Sequence, residues 1–160
     1  MSCRFRIGEG FDVHALADGL PLILGGVAIE HDRGCIAHSD GDVVCHAISD
    51  ALLGAAAMGD IGLHFPDTDP QYRGANSIEL LRAVVELIGQ RGYCVGNVDC
   101  TIRAQRPKLR GYIDLMRGRL AEAMGVTTDE VSVKATTTER LGFEGREEGI
   151  SVSAIALILC

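Results

Sequence analysis

Asp12 and His14 stand two residues apart in a segment that alternates like a strand, and His46 follows inside a helix-like run. Residues at i and i+2 of an extended chain share a face, so one carboxylate oxygen and one imidazole nitrogen are offered to the same ion. A second imidazole from a distant helix completes a set of two nitrogens and one oxygen. That set suits zinc with its fourth position open for a reactant, and an open position implies chemistry. The plainer alternative is that His14 and His46 are ordinary polar residues, since sequence alone does not bring them together.

Two further segments carry groups suited to anions. Arg103, Arg106, Lys108 and Arg110 gather four cations, with Gln105 and Pro107 among them, at a strand-to-helix junction of an otherwise acidic chain. Free backbone N–H groups at a helix start favour a phosphate there, and a solvated face is the competing reading. Lys134 to Glu139 supplies a cation, the hydroxyls of Thr136, Thr137 and Thr138, and a carboxylate at the end of a strand. Threonines suit a strand for steric reasons alone. As ligands, their hydroxyls bind phosphate oxygens while Glu139 holds a hard cation such as magnesium.

Elements of both kinds must position these groups. Cys3 to Phe11 alternates, with Phe5, Ile7 and Phe11 on one face, and Leu22 to Ile29 is apolar but interrupted by Gly25-Gly26; these predict a strand and a bent or hairpin-like segment. Ser39 with Asp42 reads as a capping box for a helix whose stripe is Val44, Ile48, Ala51, Leu52 and Ala55. Asp42, His46 and Asp50 fall at i, i+4 and i+8 on its other side, where the carboxylates either orient the second nitrogen of His46 or face water. Gly59 to Gly74 predicts a long functional loop.

Asn76 with Glu79 opens a second helix (Ile78, Leu81, Val84, Val85, Ile88) that Gly92 stops, and Tyr93 to Gln105 predicts a strand. Pro107 precedes a third helix with Ile113, Met116, Leu120 and Met124, followed by strands at Val131 to Thr136 and Ile150 to Leu159. From Ala154 the last strand is apolar on both sides, which predicts cover on both, by helices or by another subunit.

A chain of 160 residues that is 47% hydrophobic fits one domain, residues 1–160. Its net charge of -7 argues against nucleic-acid and membrane-surface partners, which require a basic face. Six cysteines without a CxxC pair, and no signal-like apolar segment, predict a reduced, cytoplasmic setting. Ile150 to Leu159 is too short to cross a bilayer.

Several segments together carry a family resemblance. They are Arg6-Ile7-Gly8-Glu9-Gly10-Phe11-Asp12-Val13-His14; Ala37-His38-Ser39-Asp40-Gly41-Asp42-Val43 with His46; Gly59-Asp60-Ile61-Gly62 with Phe65-Pro66-Asp67-Thr68-Asp69; Ala104-Gln105 with Pro107-Lys108; Val133 to Glu139 with Leu141-Gly142-Phe143; and Gly145-Arg146 with Glu148-Gly149. In this order they closely resemble the 2-C-methyl-D-erythritol 2,4-cyclodiphosphate synthase family over nearly the whole chain.

The resemblance implies an α/β (α+β) subunit, a mixed sheet with helices packed on one face, similar to bacillus-type chorismate mutase and assembled as a homotrimer with active sites between subunits. It implies a lyase of the non-mevalonate isoprenoid pathway that converts 4-diphosphocytidyl-2-C-methyl-D-erythritol 2-phosphate to the cyclic diphosphate and CMP. Asp12, His14 and His46 would hold zinc, and Glu139 would help hold magnesium or manganese. His38 and Thr137 would stabilise the transition state. His38, Ser39, Asp60, Ile61, Gly62, Phe65, Pro66, Asp67, Thr68 and Asp69 would hold the methylerythritol phosphate end, and Asp12, Val13 and His14 would also bind the substrate. Ala104, Gln105, Arg106, Pro107, Lys108, Leu109 and Arg110, with Ala135, Thr136 and Thr137, would surround the cytidine diphosphate end from the adjacent subunit, and Thr138 and Glu139 would also bind the substrate.

Phe143 and Arg146 would border a cavity on the threefold axis that takes an isoprenoid diphosphate. Glu9, Leu109-Arg110 and Glu147 depart from the family pattern, and Glu147 alters the polarity expected beside Arg146. Without a nucleotidyltransferase segment the chain reads as the single-function form. Rival readings are a zinc-stabilised binding protein and a phosphohydrolase that attacks with metal-bound water.

Overall fold

In the computed structural model, which describes residues 5–160, a five-stranded sheet runs in the order β4-β1-β7-β5-β6. Its strands are β1 (Phe5–Asp18), β4 (Arg33–Cys35), β5 (Cys94–Arg103), β6 (Val131–Thr136) and β7 (Gly149–Leu159). A small hairpin, β2 (Leu22–Leu24) and β3 (Val27–Ile29), stands apart from it. Neighbours are antiparallel except β5 and β6, which are parallel. A parallel pair needs a crossover, and α4 (Ile113–Met124) supplies it. The other long helices are α1 (Val43–Ala55) and α3 (Ser77–Gln90). Two four-residue helices, α2 (Ile61–His64) and α5 (Gly142–Gly145), lie in connecting segments.

Register sorts the residues into two faces. Gly10 pairs with Ala154, Ala154 with Cys100, and Cys100 with Val133, so these share one face, together with Gly8, Asp12 and His14 at the even positions of β1. The helices cover this face, and its apolar members are buried with Ile48, Leu52, Leu81 and Leu120 in one continuous core. The opposite face carries Phe5, Ile7, Phe11, Val13 and Ile155, which are 55%, 68%, 54%, 44% and 48% exposed.

The alternation expected for β1 does not by itself say which face the core takes. The large residues Phe5, Ile7 and Phe11 point away from the core, and at Gly8 and Gly10 the core side carries no side chain because helix backbone fills the space. A Cβ at Gly8 would lie 2.1 Å from the Ala51 carbonyl, and one at Gly10 would lie 1.9 Å from the Ala47 carbonyl. The first strand's expected start at Cys3 falls outside the described residues.

The start of α1 also differs from expectation. No capping box spans Ser39 and Asp42; Asp42 is itself the N-cap, accepting from the Val44 and Cys45 N–H groups. Its carboxylate is fully buried and also takes N–H bonds from Gly25 (2.8 Å) and Gly26 (2.7 Å). Both glycines have positive φ, 58° and 73°, as the tight β2–β3 turn requires. One carboxylate therefore ties the hairpin turn to the helix; Asp42 does not face water, and its bond with His46 is the helix one, from the His46 N–H to the Asp42 carbonyl. Burial pushes its carboxyl up, opposed by these donors.

α3 begins as expected, with the Asn76 side chain accepting from the Ile78 N–H. The segment from Gly59 to Gly74 is more ordered than a plain loop, holding α2 and a 3-10 turn at Pro70–Tyr72. No described helix is long and apolar enough to cross a membrane.

Candidate metal centre and adjoining clefts

The close seating of α1 on Gly8 and Gly10 brings His46, one turn from the helix start, against Asp12 and His14 near the far end of β1. Asp12 Oδ2 lies 3.0 Å from His14 Nε2 and 3.0 Å from His46 Nδ1, and the two nitrogens are 3.3 Å apart. Four-coordinate zinc with bonds of about 2.0–2.1 Å sets its donors roughly 3.3 Å apart. The triangle has that size, so the donor set fits a divalent cation. Among the described residues it is the one such group of histidine, cysteine and acidic side chains.

The imidazoles are held from behind. His14 Nδ1 donates to the Ile36 carbonyl at 3.0 Å, so in the neutral ring Nε2 is the nitrogen whose lone pair faces the triangle. His46 Nε2 meets Ser77 Oγ at 2.9 Å and Ser39 Oγ at 3.2 Å. Burial tends to raise the Asp12 carboxyl, but hydrogen bonds from both imidazoles outweigh it and hold the group at about 2. The Asp12 hydrogen bond raises His14 above its ordinary value, against the opposing effect of burial. Asp50 does not orient His46; its carboxylate caps α2 by accepting from the Ile61 N–H at 2.7 Å.

The triad opens into a cleft of about 320 Å³ lined by His14, Ala37, His38, Ser39, His46, Ile61, Gly62, Phe65, Asp67, Tyr72 and Leu80. Tyr72 and Leu80 carry no sequence signal for this role, since each comes from an element whose own pattern is accounted for without it. Asp60 stands beside the cleft and caps α2, one oxygen accepting from the Leu63 N–H at 2.9 Å. Asp69 similarly caps the 3-10 turn, and Pro66 and Thr68 lie outside the cleft wall. Val13 points to the opposite face of the sheet. With His14, Ala15, Phe143, Glu148 and Gly149 it lines a mostly apolar hollow of about 270 Å³.

A second cleft, about 410 Å³, is lined by Ala104, Gln105, Pro107, Lys108, Leu109, Arg110, Ile113, Val133, Lys134, Ala135, Thr136 and Thr137. It shares no lining residue with the first. Not all of its expected groups are at a ligand's disposal. Lys134 is tied to Asp99, with a 2.6 Å contact to one carboxylate oxygen, and the Thr138 hydroxyl donates to the Leu141 carbonyl. Arg106 lies 3.8 Å from Glu147, and Arg103 donates to Ser153.

Glu139 sits at positive φ, 54°, with its N–H on Thr137 Oγ1, and does not belong to the Asp12 triangle. Arg146 pairs with Glu148 at 3.0 and 3.1 Å.

A model described as the YgbB family matches residues 5–159. A curated relative from Pseudomonas aeruginosa, 2-C-methyl-D-erythritol 2,4-cyclodiphosphate synthase, is 62% identical over 154 residues, covering 96% of this chain and 98% of its own length. The bifunctional IspDF of Campylobacter jejuni superposes with a TM-score of 0.95 at 42% identity; this chain is covered to 99% but spans only 43% of that longer protein. A 2C-methyl-D-erythritol-2,4-cyclodiphosphate synthase in its CDP-bound form gives 0.88 at 38% identity, over 96% of this chain and 99% of its own.

Proposed function

The chain belongs to the YgbB family and is an enzyme of the 2-C-methyl-D-erythritol 2,4-cyclodiphosphate synthase type, and from that membership and the geometry of its clefts we propose the reaction it performs. The substrate is 4-diphosphocytidyl-2-C-methyl-D-erythritol 2-phosphate. An oxygen of its 2-phosphate bonds to the β-phosphorus, the bond from that phosphorus to the bridging oxygen breaks, and CMP leaves. The nucleophile is already ionised, so positioning and charge neutralisation carry the catalysis. The observation that carries this reading is the triangle of Asp12, His14 and His46, with donors 3.0 to 3.3 Å apart, opening into a cleft that holds His38 and Ser39.

Asp12, His14 and His46 would hold zinc, which would supply Lewis-acid polarisation of the β-phosphate, and Glu139 would help hold magnesium or manganese, which would offset the diphosphate charge. The chain's own groups do the rest. His38 and Thr137 hydrogen-bond the oxygens on which charge shifts. Asp60 accepts from the sugar-alcohol hydroxyls with the oxygen that α2 does not use. Lys108 and the backbone around it take the cytidine diphosphate end.

His38 and Thr137 line separate clefts of one chain, so the complete site draws on two copies. The bare apolar face around Ile7, Phe11, Val13 and Ile155 is the surface on which a homotrimer assembles. Each copy is one domain, similar to bacillus-type chorismate mutase. The free thiols of Cys35, Cys45, Cys94 and Cys100 suit the cytoplasm.

The same assembly brings three Arg146 side chains toward a common axis near Phe143, where an isoprenoid diphosphate competes with Glu148 for the guanidinium. Arg146→Ala is expected to remove isoprenoid diphosphate binding, and unchanged binding overturns that part.

Turnover in 18O-labelled water tests the reaction. CMP and a cyclic diphosphate free of label are expected. Labelled open-chain products identify a hydrolase, and no turnover identifies a binding protein.

A further inference from the structure

We propose that Ser77 is a positioning residue that, with Asp40 behind it, decides which nitrogen of His46 carries the proton and so leaves Nδ1 bare toward the cation site. This rests on the reading of Asp12, His14 and His46 as that site. Ser77 is fully buried at the first position of α3, 31 residues from His46 in sequence, and its Oγ lies 2.9 Å from His46 Nε2. A hydroxyl has one hydrogen to give, and here it goes to Asp40 Oδ1. Asp40 also accepts the backbone N–H groups of Ser77 (3.0 Å) and Asp42 (3.1 Å), so it is held as an acceptor on both oxygens.

Ser77 therefore faces the imidazole with lone pairs only and calls for hydrogen on His46 Nε2, while Asp12 Oδ2, 3.0 Å from Nδ1, makes the same demand there until a cation takes that place. With hydrogen on Nε2, the neutral ring leaves Nδ1 unprotonated. His14 reaches the same state by a different route, its Nδ1–H spent on Ile36. Three acceptor atoms, Asp12 Oδ2, His14 Nε2 and His46 Nδ1, thus converge, and a cation relieves their mutual repulsion.

Ser39 is the competitor. Its Oγ lies 3.2 Å from the same Nε2 and accepts from the Gly41 N–H. No hydrogen bond fixes its hydroxyl proton, so it is able to donate where Ser77 only accepts. If Ser39 prevailed, the ring proton would move to Nδ1 and point at Asp12 Oδ2, 3.0 Å away, blocking the ligand atom. The Ser77 hydroxyl contributes little to the start of α3, which is capped by Asn76 and by the Ser77 backbone N–H on Asp40.

Ser77→Ala tests the proposal on two quantities other than turnover. In the metal-free protein, imidazole 15N shifts are expected to show Nε2–H for His46 in the wild type and a large Nδ1–H population in the variant. Zinc affinity, measured against a competing chelator, is expected to fall about 10–100-fold, with the thermal unfolding midpoint nearly unchanged. Asp40→Asn, which cannot accept from all three donors at once, is expected to shift both quantities the same way. A folded Ser77→Ala protein with wild-type zinc affinity and an unchanged His46 tautomer overturns the proposal while leaving the cation site standing. Failure of the wild type to bind zinc at all overturns the cation site, and the proposal with it.

Discussion

Around His46 the two imidazoles that face the centre are gripped from behind: His14 by a carbonyl and His46 by two serines. Around Lys108 the arrangement is looser. Lys134 and Thr138 are drawn to partners of their own chain, and Thr137 Oγ1 stands 3.5 Å from Glu139. The first cleft is finished by the fold of one chain, as a site that concentrates charge must be, because mutually repelling acceptors converge only when other contacts hold them there. The second has the character of a binding surface whose order is completed by the ligand or by a neighbouring copy.

The sharpest way to break this contrast is to lift α1. Gly10→Ala puts a methyl group where the Ala47 carbonyl stands, and backbone on both sides cannot yield as a side-chain tip does. We expect a loss of about 3 kcal/mol or more by denaturant titration, with zinc binding abolished in whatever protein remains folded. A Gly10→Ala protein of normal stability that binds zinc normally would show that the helix is not seated by contact with β1. His46→Ala comes next. Zinc affinity is expected to drop by more than ~100-fold, beyond what losing an orienting partner costs, and turnover with it. CDP binding, read by calorimetry, is expected to stay within a few-fold of wild type. A parallel collapse of CDP binding would show that the clefts are not independent.

How far sequence reaches divides along the same line. Asp12 and His14 were legible because period-2 spacing commits two side chains to one face whatever lies above them. Helix α3 was legible from Asn76, Glu79 and Gly92 because caps are local chemistry. Gly8 and Gly10 were not, since the value of a missing side chain appears only once another element's backbone arrives. The alternation of Phe5, Ile7 and Phe11 correctly marked a strand but not which side the core takes. Burial of one face against glycines and helix backbone inverts the usual inference from side-chain size. Ser77 was hidden for a related reason: it belongs to the turn that starts α3, and its partner His46 is brought to it only by the packing of α3 on α1. Helix α2, with four residues, is too short for any periodicity to show.

Lys108→Ala probes the contrast from the other side. Loss of one charge-assisted contact to a phosphate is expected to weaken CDP by about tenfold, with zinc affinity unchanged. A fall in zinc affinity would place Lys108 in the electrostatics of the first cleft.

The smallest expected effect concerns Asp99. Burial raises its carboxyl, but the hydrogen bonds from Lys134 and Ser132 and the Lys134 charge together outweigh that and leave it lowered, and both side chains remain substantially exposed. An exposed pair of this kind contributes about 1 kcal/mol or less, so Asp99→Ala is expected to change stability barely measurably. Its consequence lies in the cleft. Lys134 lines that cleft, and its ammonium, once released, is free to swing toward an anion there. CDP affinity is therefore expected to rise by about two- to threefold at low ionic strength, and the gain to vanish at high salt, where an exposed charge is screened. If Asp99→Ala instead weakened CDP, the ion pair would be holding Lys134 in its binding position. The second cleft would then be as firmly prepared as the first, and the contrast between them would fail.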